Sequence, residues 1–174
     1  MGVTGFGSGI LTGVPEKQAV IDIAADLRLR SFGGEADVDA TWPWYRDVAT
    51  VRLVDGPDGS PYSRRQVRDM YRALSSQGEV YMIERRDGDD PWEVVGDVTL
   101  APHTLPIVLR PDWRGRGIGR RVLVALIARA RELGWVELHA RSIDAGNTAS
   151  AALFFSVGFE RCSAPPPDMS LRLD

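Results

Sequence analysis

The stretch that most constrains this chain is residues 105–134, LPIVLRPDWRGRGIGRRVLVALIARARELG. A short apolar run from Leu105 to Leu109 breaks at Pro111, passes through a turn rich in arginine and glycine, and becomes a long amphipathic segment. That order predicts strand, loop and helix. In the loop, Arg114-Gly115-Arg116-Gly117-Ile118-Gly119 places three glycines where the backbone must turn sharply and come close to something bulky. The helix that follows offers its first N–H groups unpaired, together with the positive end of its dipole. With Arg114, Arg116, Arg120 and Arg121 around that mouth, the segment is suited to a phosphate or diphosphate.

Spacing excludes two common phosphate loops. A Walker loop ends in Gly-Lys-Ser/Thr, and no Lys or Ser/Thr stands in that place. The dinucleotide fingerprint spaces its glycines G-x-G-x-x-G early in a parallel array, whereas here they fall G-x-G-x-G late in the chain. The pattern Arg/Gln-x-x-Gly-x-Gly/Ala is met by Arg114, Gly117 and Gly119. Downstream, Asn147-Thr-Ala-Ser150-Ala-Ala-Leu153-Phe154-Phe-Ser-Val-Gly158-Phe159 follows Asn-x-x-Ala-x-x-Leu-Tyr-x-x-x-Gly-Phe, with Ser150 for Ala and Phe154 for Tyr. On these two motifs, in this order, the chain resembles the GNAT superfamily of acetyl-CoA-dependent N-acetyltransferases. The second half matches well and the first half loosely.

The resemblance implies an α/β (α+β) fold: a central mixed, mostly antiparallel sheet with a splayed parallel strand pair, flanked by helices. It implies acetyl-CoA as co-substrate, its diphosphate cradled by Arg114, Gly115, Arg116, Gly117, Ile118, Gly119 and Arg120. The backbone of Ile107, Val108 and Leu109 would pair with the pantetheine arm, and Asn147 would bond to that arm or cap the last helix. Phe154 occupies the position of the family's usual proton donor to the departing thiolate, and a phenyl ring has no proton to give. A thiol with a pKa of about 8.5 is still a fair leaving group, so water or another hydroxyl is expected to substitute. Tyr45, Tyr62, Tyr71 and Tyr81 are the candidate phenols.

For the general base, Asp97 is first choice, because a carboxylate inside a central strand is desolvated and its pKa rises toward usefulness. His103 is second, with a suitable intrinsic pKa but a position on a turn. The acceptor is expected to be a small-molecule or peptide amine. A silent acyl-CoA-binding module is the alternative that Phe154 motivates, and an RNA-contacting role is one that the Arg-Gly repeat motivates.

Composition narrows these readings. The 174 residues suit one domain with a sizeable core, and 44% hydrophobic with 26% charged residues excludes a disordered or fibrous chain. A net charge of −3 and a pI near 5.4 argue against a general nucleic-acid binder. Of 21 basic side chains only Lys17 is lysine, a bias that points to a high-GC bacterial genome. The lone Cys162 allows no intramolecular disulfide, and two histidines, His103 and His139, are too few for a zinc motif, so no metal is expected. A reducing cytoplasm is the natural setting. The first residues lack the features of a secretory signal, and no apolar run approaches the roughly 20 residues that span a bilayer. A homodimer is left open.

Along the chain, residues 1–25 read as an extension, glycine-rich and partly flexible, ahead of a single acetyltransferase-like domain at 26–174. Residues 17–25 fit helix or strand equally. Residues 27–32, LRLRSF, alternate as a half-buried strand ended by Gly33-Gly34. An aromatic cluster, Trp42-Pro43-Trp44-Tyr45, lies in a short helix or loop; by resemblance it walls the acceptor site, and otherwise it caps the core. Residues 48–54 read as a short buried strand or part of that wall. Ser63-x-x-Gln66 is a capping box that opens a helix stopped by Gly78. Residues 80–85 and 92–100 form antiparallel strands, the second with Val95, Asp97 and Thr99 on one face and Gly96, Val98 and Leu100 on the other. The long helix buries Ile118, Val122, Ala125, Leu126, Ala130 and Leu133, with Arg120, Arg121, Arg129 and Arg131 mostly outside the stripe. Residues 135–141 alternate again, Asn147 or Thr148 opens a last helix, and two closing strands flank Pro165-Pro166-Pro167.

Overall fold

The structure is a computed structural model, and it describes residues 16–141, 143, 146–163 and 169–173. The glycine-rich start and the triple proline lie outside the described residues.

Five strands form one antiparallel sheet in sequence order: β1 (Val20–Ala24), β2 (Leu27–Ser31), β3 (Glu79–Arg85), β4 (Glu93–Leu100) and β5 (Ile107–Leu109). Three more form a second antiparallel sheet ordered β6 (Glu137–Ala140), β8 (Met169–Arg172) and β7 (Glu160–Arg161). The expected splay between the Leu105 strand and the strand after the long helix is therefore complete. No ladder joins β5 to β6, and every pairing among the described residues is antiparallel. Residues 17–25, open between helix and strand, supply β1, which pairs with β2 through Val20↔Arg30 and Ile21↔Leu29.

The helices are α1 (Glu35–Tyr45), α2 (Val48–Asp55), α3 (Arg64–Gln77), α4 (Ile118–Glu132) and α5 (Thr148–Phe155). The Ser63–Gln66 capping box opens α3, with hydrogen bonds in both directions. Residues 48–54 are helical, which corrects the strand reading. The Asp47 side chain caps α2 by accepting from the Thr50 amide at 2.8 Å, and Val51 is fully buried. A cap and a buried anchor outweigh the β-branched bias of VATVRLV.

The sheet divides the interior in two. One core holds Leu29, Ile83, Val98, Leu100, Leu126 and Phe159 beneath α4; the other holds Val38, Tyr45, Val67, Tyr71 and Met82 beneath α1 and α3. Simple alternation along β4 fails at a bulge, where Ile83 faces Gly96 and Glu84 faces Val94. The extra residue, Val95, joins Val98 and Leu100 in the α4 core. Asp97 stays on the opposite side, beside Tyr45.

Along α4 the buried stripe takes in Leu123 and Ile127 beyond the expected residues, whereas Ala125 and Leu133, expected inside it, are half-buried. Arg129, expected outside it, is 3% exposed. Its guanidinium binds Glu79 of β3 at 2.8 and 3.1 Å and the Glu16 carbonyl at 2.8 Å. A charge placed that deep needs such a partner.

Candidate active site

β5 is the outer strand of its sheet and ends at the arginine-glycine turn. Hydrogen bonds from the Thr99 amide to the Pro106 carbonyl and from the Arg110 amide to the Val95 carbonyl set the register. Alternation then turns the backbone of Val108 toward β4 and leaves Ile107 and Leu109 facing the free edge. The Val108 peptide group is thus engaged within the sheet.

A single turn, Pro111–Trp113, follows β5 and leads into the loop. Gly115 and Gly117 take φ of 70° and 76°, values that only glycine adopts at low cost, and Gly117 caps α4. A Cβ on Gly119 would stand 3.0 Å from Leu153 of α5, so its absence lets the two helices close together.

Between β5, the start of α4, α5 and α2 lies a cavity of about 510 Å³. The side of β5 and the loop contributes Ile107, Val108, Leu109, Arg114, Gly115 and Gly117. The start of α4 contributes Ile118, Gly119 and Arg120, and the α5 side contributes Asn147 and Phe154. Of the residues expected to hold the ligand, Arg116 alone does not line it. Its guanidinium stacks on Trp113 at 4.6 Å, on a ring that Arg85 also covers. The lining contains three arginines, Arg114, Arg120 and Arg141, and no carboxylate among the described residues. Such a cavity attracts an anion.

Residues 48–54, open in the sequence between a buried strand and part of the acceptor wall, form α2 and contribute Thr50, Leu53 and Val54 to this cavity. Two cavity residues grip this helix. Arg114 donates from Nη2 to Thr50 Oγ1 at 2.8 Å and from Nε to the Leu109 carbonyl at 2.8 Å. Asn147 accepts from the Ser150 amide at 3.0 Å, as a helix cap, and donates to the Leu53 carbonyl at 2.9 Å. That carbonyl has no helical donor, because the residue four positions on is Pro57. Asn147 thus caps one helix and completes another, with one amide N–H to spare. The Asp47-x-x-Thr50 spacing was the available sign of a helix start there.

The two candidate bases lie outside the cavity lining. Asp97 is 4% exposed in the second core, where the Tyr45 hydroxyl reaches both of its oxygens at 3.1 Å. Burial pushes the Asp97 carboxyl up to about 7, against the lowering effect of Tyr45 and Tyr71. The Tyr71 hydroxyl is near enough to contribute, yet meets no hydrogen-bond geometry among the described residues. Across the ladder Asp97 faces Val108, so this carboxylate lies one strand behind the cavity wall. His103 is exposed on the turn between Ala101 and Thr104, its ring 6.3 Å from that of His139.

Phe154 is buried and packs edge-on against Phe159 at 5.1 Å. None of Tyr45, Tyr62, Tyr71 and Tyr81 lines the cavity; its hydroxyls come from Thr50, Ser150 and Ser156. Among the described residues no group of three or more His, Cys, Asp or Glu is placed to hold a metal ion, and no helix is long and apolar enough to cross a membrane.

A phosphinothricin N-acetyltransferase of Alcaligenes faecalis is 34% identical over 110 residues, 57% of this chain and 53% of that protein. The match thus spans about half the length of that relative. A domain from Methanocaldococcus jannaschii superposes with a TM-score of 0.75 at 17% identity, covering 84% of this chain and 98% of the other. The spermidine N-acetyltransferase of Vibrio cholerae, solved with CoA and spermine, superposes at 0.70 with 13% identity, covering 86% and 97%. The family model for the acetyltransferase (GNAT) domain matches residues 26–160, and with that span the chain belongs to the GNAT acetyltransferase family.

Proposed function

We propose that this chain is an N-acetyltransferase that passes an acetyl group from acetyl-CoA to a primary amine, on a small molecule or a peptide, by direct transfer in a ternary complex. The observation that carries this reading is the arginine-bearing cavity at the mouth of α4, free of carboxylates among the described residues and beside the outer edge of β5. Acetyl-CoA, when bound, would supply the acetyl group as its thioester and leave as the coenzyme A thiol. The glycine turn and the first amides of α4 hold the diphosphate, with Arg114 and Arg120 adding charge. Ile107 and Leu109 present their edge to the pantetheine arm, and Asn147 has a second N–H with which to bond that arm. An edge amide of β5 polarises the thioester carbonyl. Asp97, with Tyr45 against it, takes the amine's proton from behind Val108. Phe154 contributes an apolar wall, and the thiolate leaves with a proton from water or from a cavity hydroxyl.

A binding-only role is the second reading, favoured by two observations: Phe154 has no proton to give, and Asp97 is nearly sealed from solvent. One experiment separates the two. Thiol release from acetyl-CoA is measured over a panel with spermine, spermidine, phosphinothricin, aminoglycosides and peptides with free N-termini. Release with at least one amine, lost in Asp97→Asn, supports transfer. Tight coenzyme A binding with no release from any acceptor sinks transfer in favour of the binding module.

A further inference from the structure

Thr50 stands in the first turn of α2, fully buried, with its hydroxyl between two charged groups. The Asp47 carboxylate accepts from the Thr50 amide at 2.8 Å and from the Thr50 hydroxyl at 2.7 Å. A hydroxyl has one proton. Once that proton is given to Asp47, only lone pairs remain for the other side, and one of them accepts from Arg114 Nη2 at 2.8 Å. The Leu109 carbonyl holds Nε at 2.8 Å, so the guanidinium plane is pinned at two of its nitrogens against the cavity wall.

Several other partly buried arginines of this chain are neutralised directly. Arg30 meets Asp37 and Glu84, Arg110 meets Asp112 and Glu93, and Arg129 meets Glu79. Arg114 differs: its described partners are neutral oxygens, and none of the described ion pairs includes it. Burial pushes its pKa below the usual arginine value, and the charge of Asp47, one hydroxyl away, opposes that. A carboxylate in direct contact would compete with a phosphate for the same N–H groups. A hydroxyl backed by a carboxylate orients the guanidinium and leaves its charge and its other donors for the cavity.

We propose that Thr50 is a positioning residue for the anionic end of the ligand, its hydroxyl polarised by Asp47 so that Arg114 is held ready for the diphosphate. The proposal rests on the coenzyme A reading above. Neither Asp47 nor Thr50 belongs to either sequence motif.

The test compares coenzyme A with pantetheine, which lacks the diphosphate, by calorimetry on the wild type, Thr50→Val, Thr50→Ser and Asp47→Asn. Thr50→Val keeps the shape and loses the hydroxyl, so coenzyme A should bind about tenfold more weakly while pantetheine changes by less than about twofold. Thr50→Ser should restore affinity, and Asp47→Asn, which keeps an oxygen to cap α2, should weaken coenzyme A selectively. Should Thr50→Val fold poorly, the Asp47→Asn comparison carries the same discrimination. Equal losses for both ligands, or no loss for coenzyme A, overturn the positioning role. A wild type that binds no coenzyme A overturns the underlying reading as well.

Discussion

The Tyr45 hydroxyl lies 3.1 Å from each carboxylate oxygen of Asp97 and shares its one proton between them, inside the core beneath α1 and α3. The contact opposes the effect of burial, which has pushed Asp97 up to about 7. As a base Asp97 works as the carboxylate, so kcat/KM should rise with pH through about 7 and then level. Asp97→Asn should remove that rise and lower turnover by about 10²–10⁴-fold. Tyr45→Phe takes away a donor that favours the charged form, and should move the inflection to higher pH. A pH–rate profile of the three proteins checks this, and an inflection unmoved in Tyr45→Phe counts against the pair.

The same carboxyl makes stability depend on pH. Its pKa is raised in the folded state, so between about 4 and 7 the native protein binds more protons than the unfolded chain. Stability from this group is therefore fully present below the unfolded value and is lost as pH climbs through about 7. The loss amounts to at most about 4 kcal/mol. Denaturant unfolding at pH 5 and pH 8 should show the wild type losing more than Asp97→Asn over that interval.

Arg129 and Glu79 form a buried pair, with the Tyr81 hydroxyl also donating to Glu79 at 2.7 Å. Burial would raise the Glu79 carboxyl, but the bonds from Arg129 and Tyr81 hold it below the usual range. Arg129→Met leaves that carboxylate without its cation and should cost about 3–5 kcal/mol. The double replacement Arg129→Met with Glu79→Gln should recover much of the loss. Thermal melts of the single and double variants measure the coupling.

Phe154 lines the cavity and touches Phe159 edge-on. Phe154→Tyr adds a phenol there at nearly unchanged volume. Turnover should rise several-fold below about pH 8.5, where the leaving thiolate gains most from a proton donor. A turnover no higher than that of the wild type would show that another group already fills the role.

Much of the scaffold was legible because its signals are local. The Ser63–Gln66 box and the alternation of residues 27–32 each act within a few residues, and a capped helix and a strand formed there. The loop was legible for the same reason, since Gly115 and Gly117 adopt positive φ at fixed offsets from Arg114. The helix at residues 48–55 was not, because its β-branched residues pull one way while the Asp47 cap and the burial of Val51 pull the other.

By itself, the sequence determined the arginine-glycine turn into α4, the capped α3 and α5, and the absence of a phenol at residue 154. These depend on backbone freedom and hydrogen bonds that reach no farther than one turn. Tertiary structure alone decided which polar groups meet: Arg129 with Glu79, 50 residues apart, and Arg114 with Thr50, 64 apart. It also set Asp97 behind Val108 and made α2 a wall of the cavity. An arginine or a carboxylate has many possible partners along a chain, and only packing, which makes an unpaired buried charge costly, selects among them.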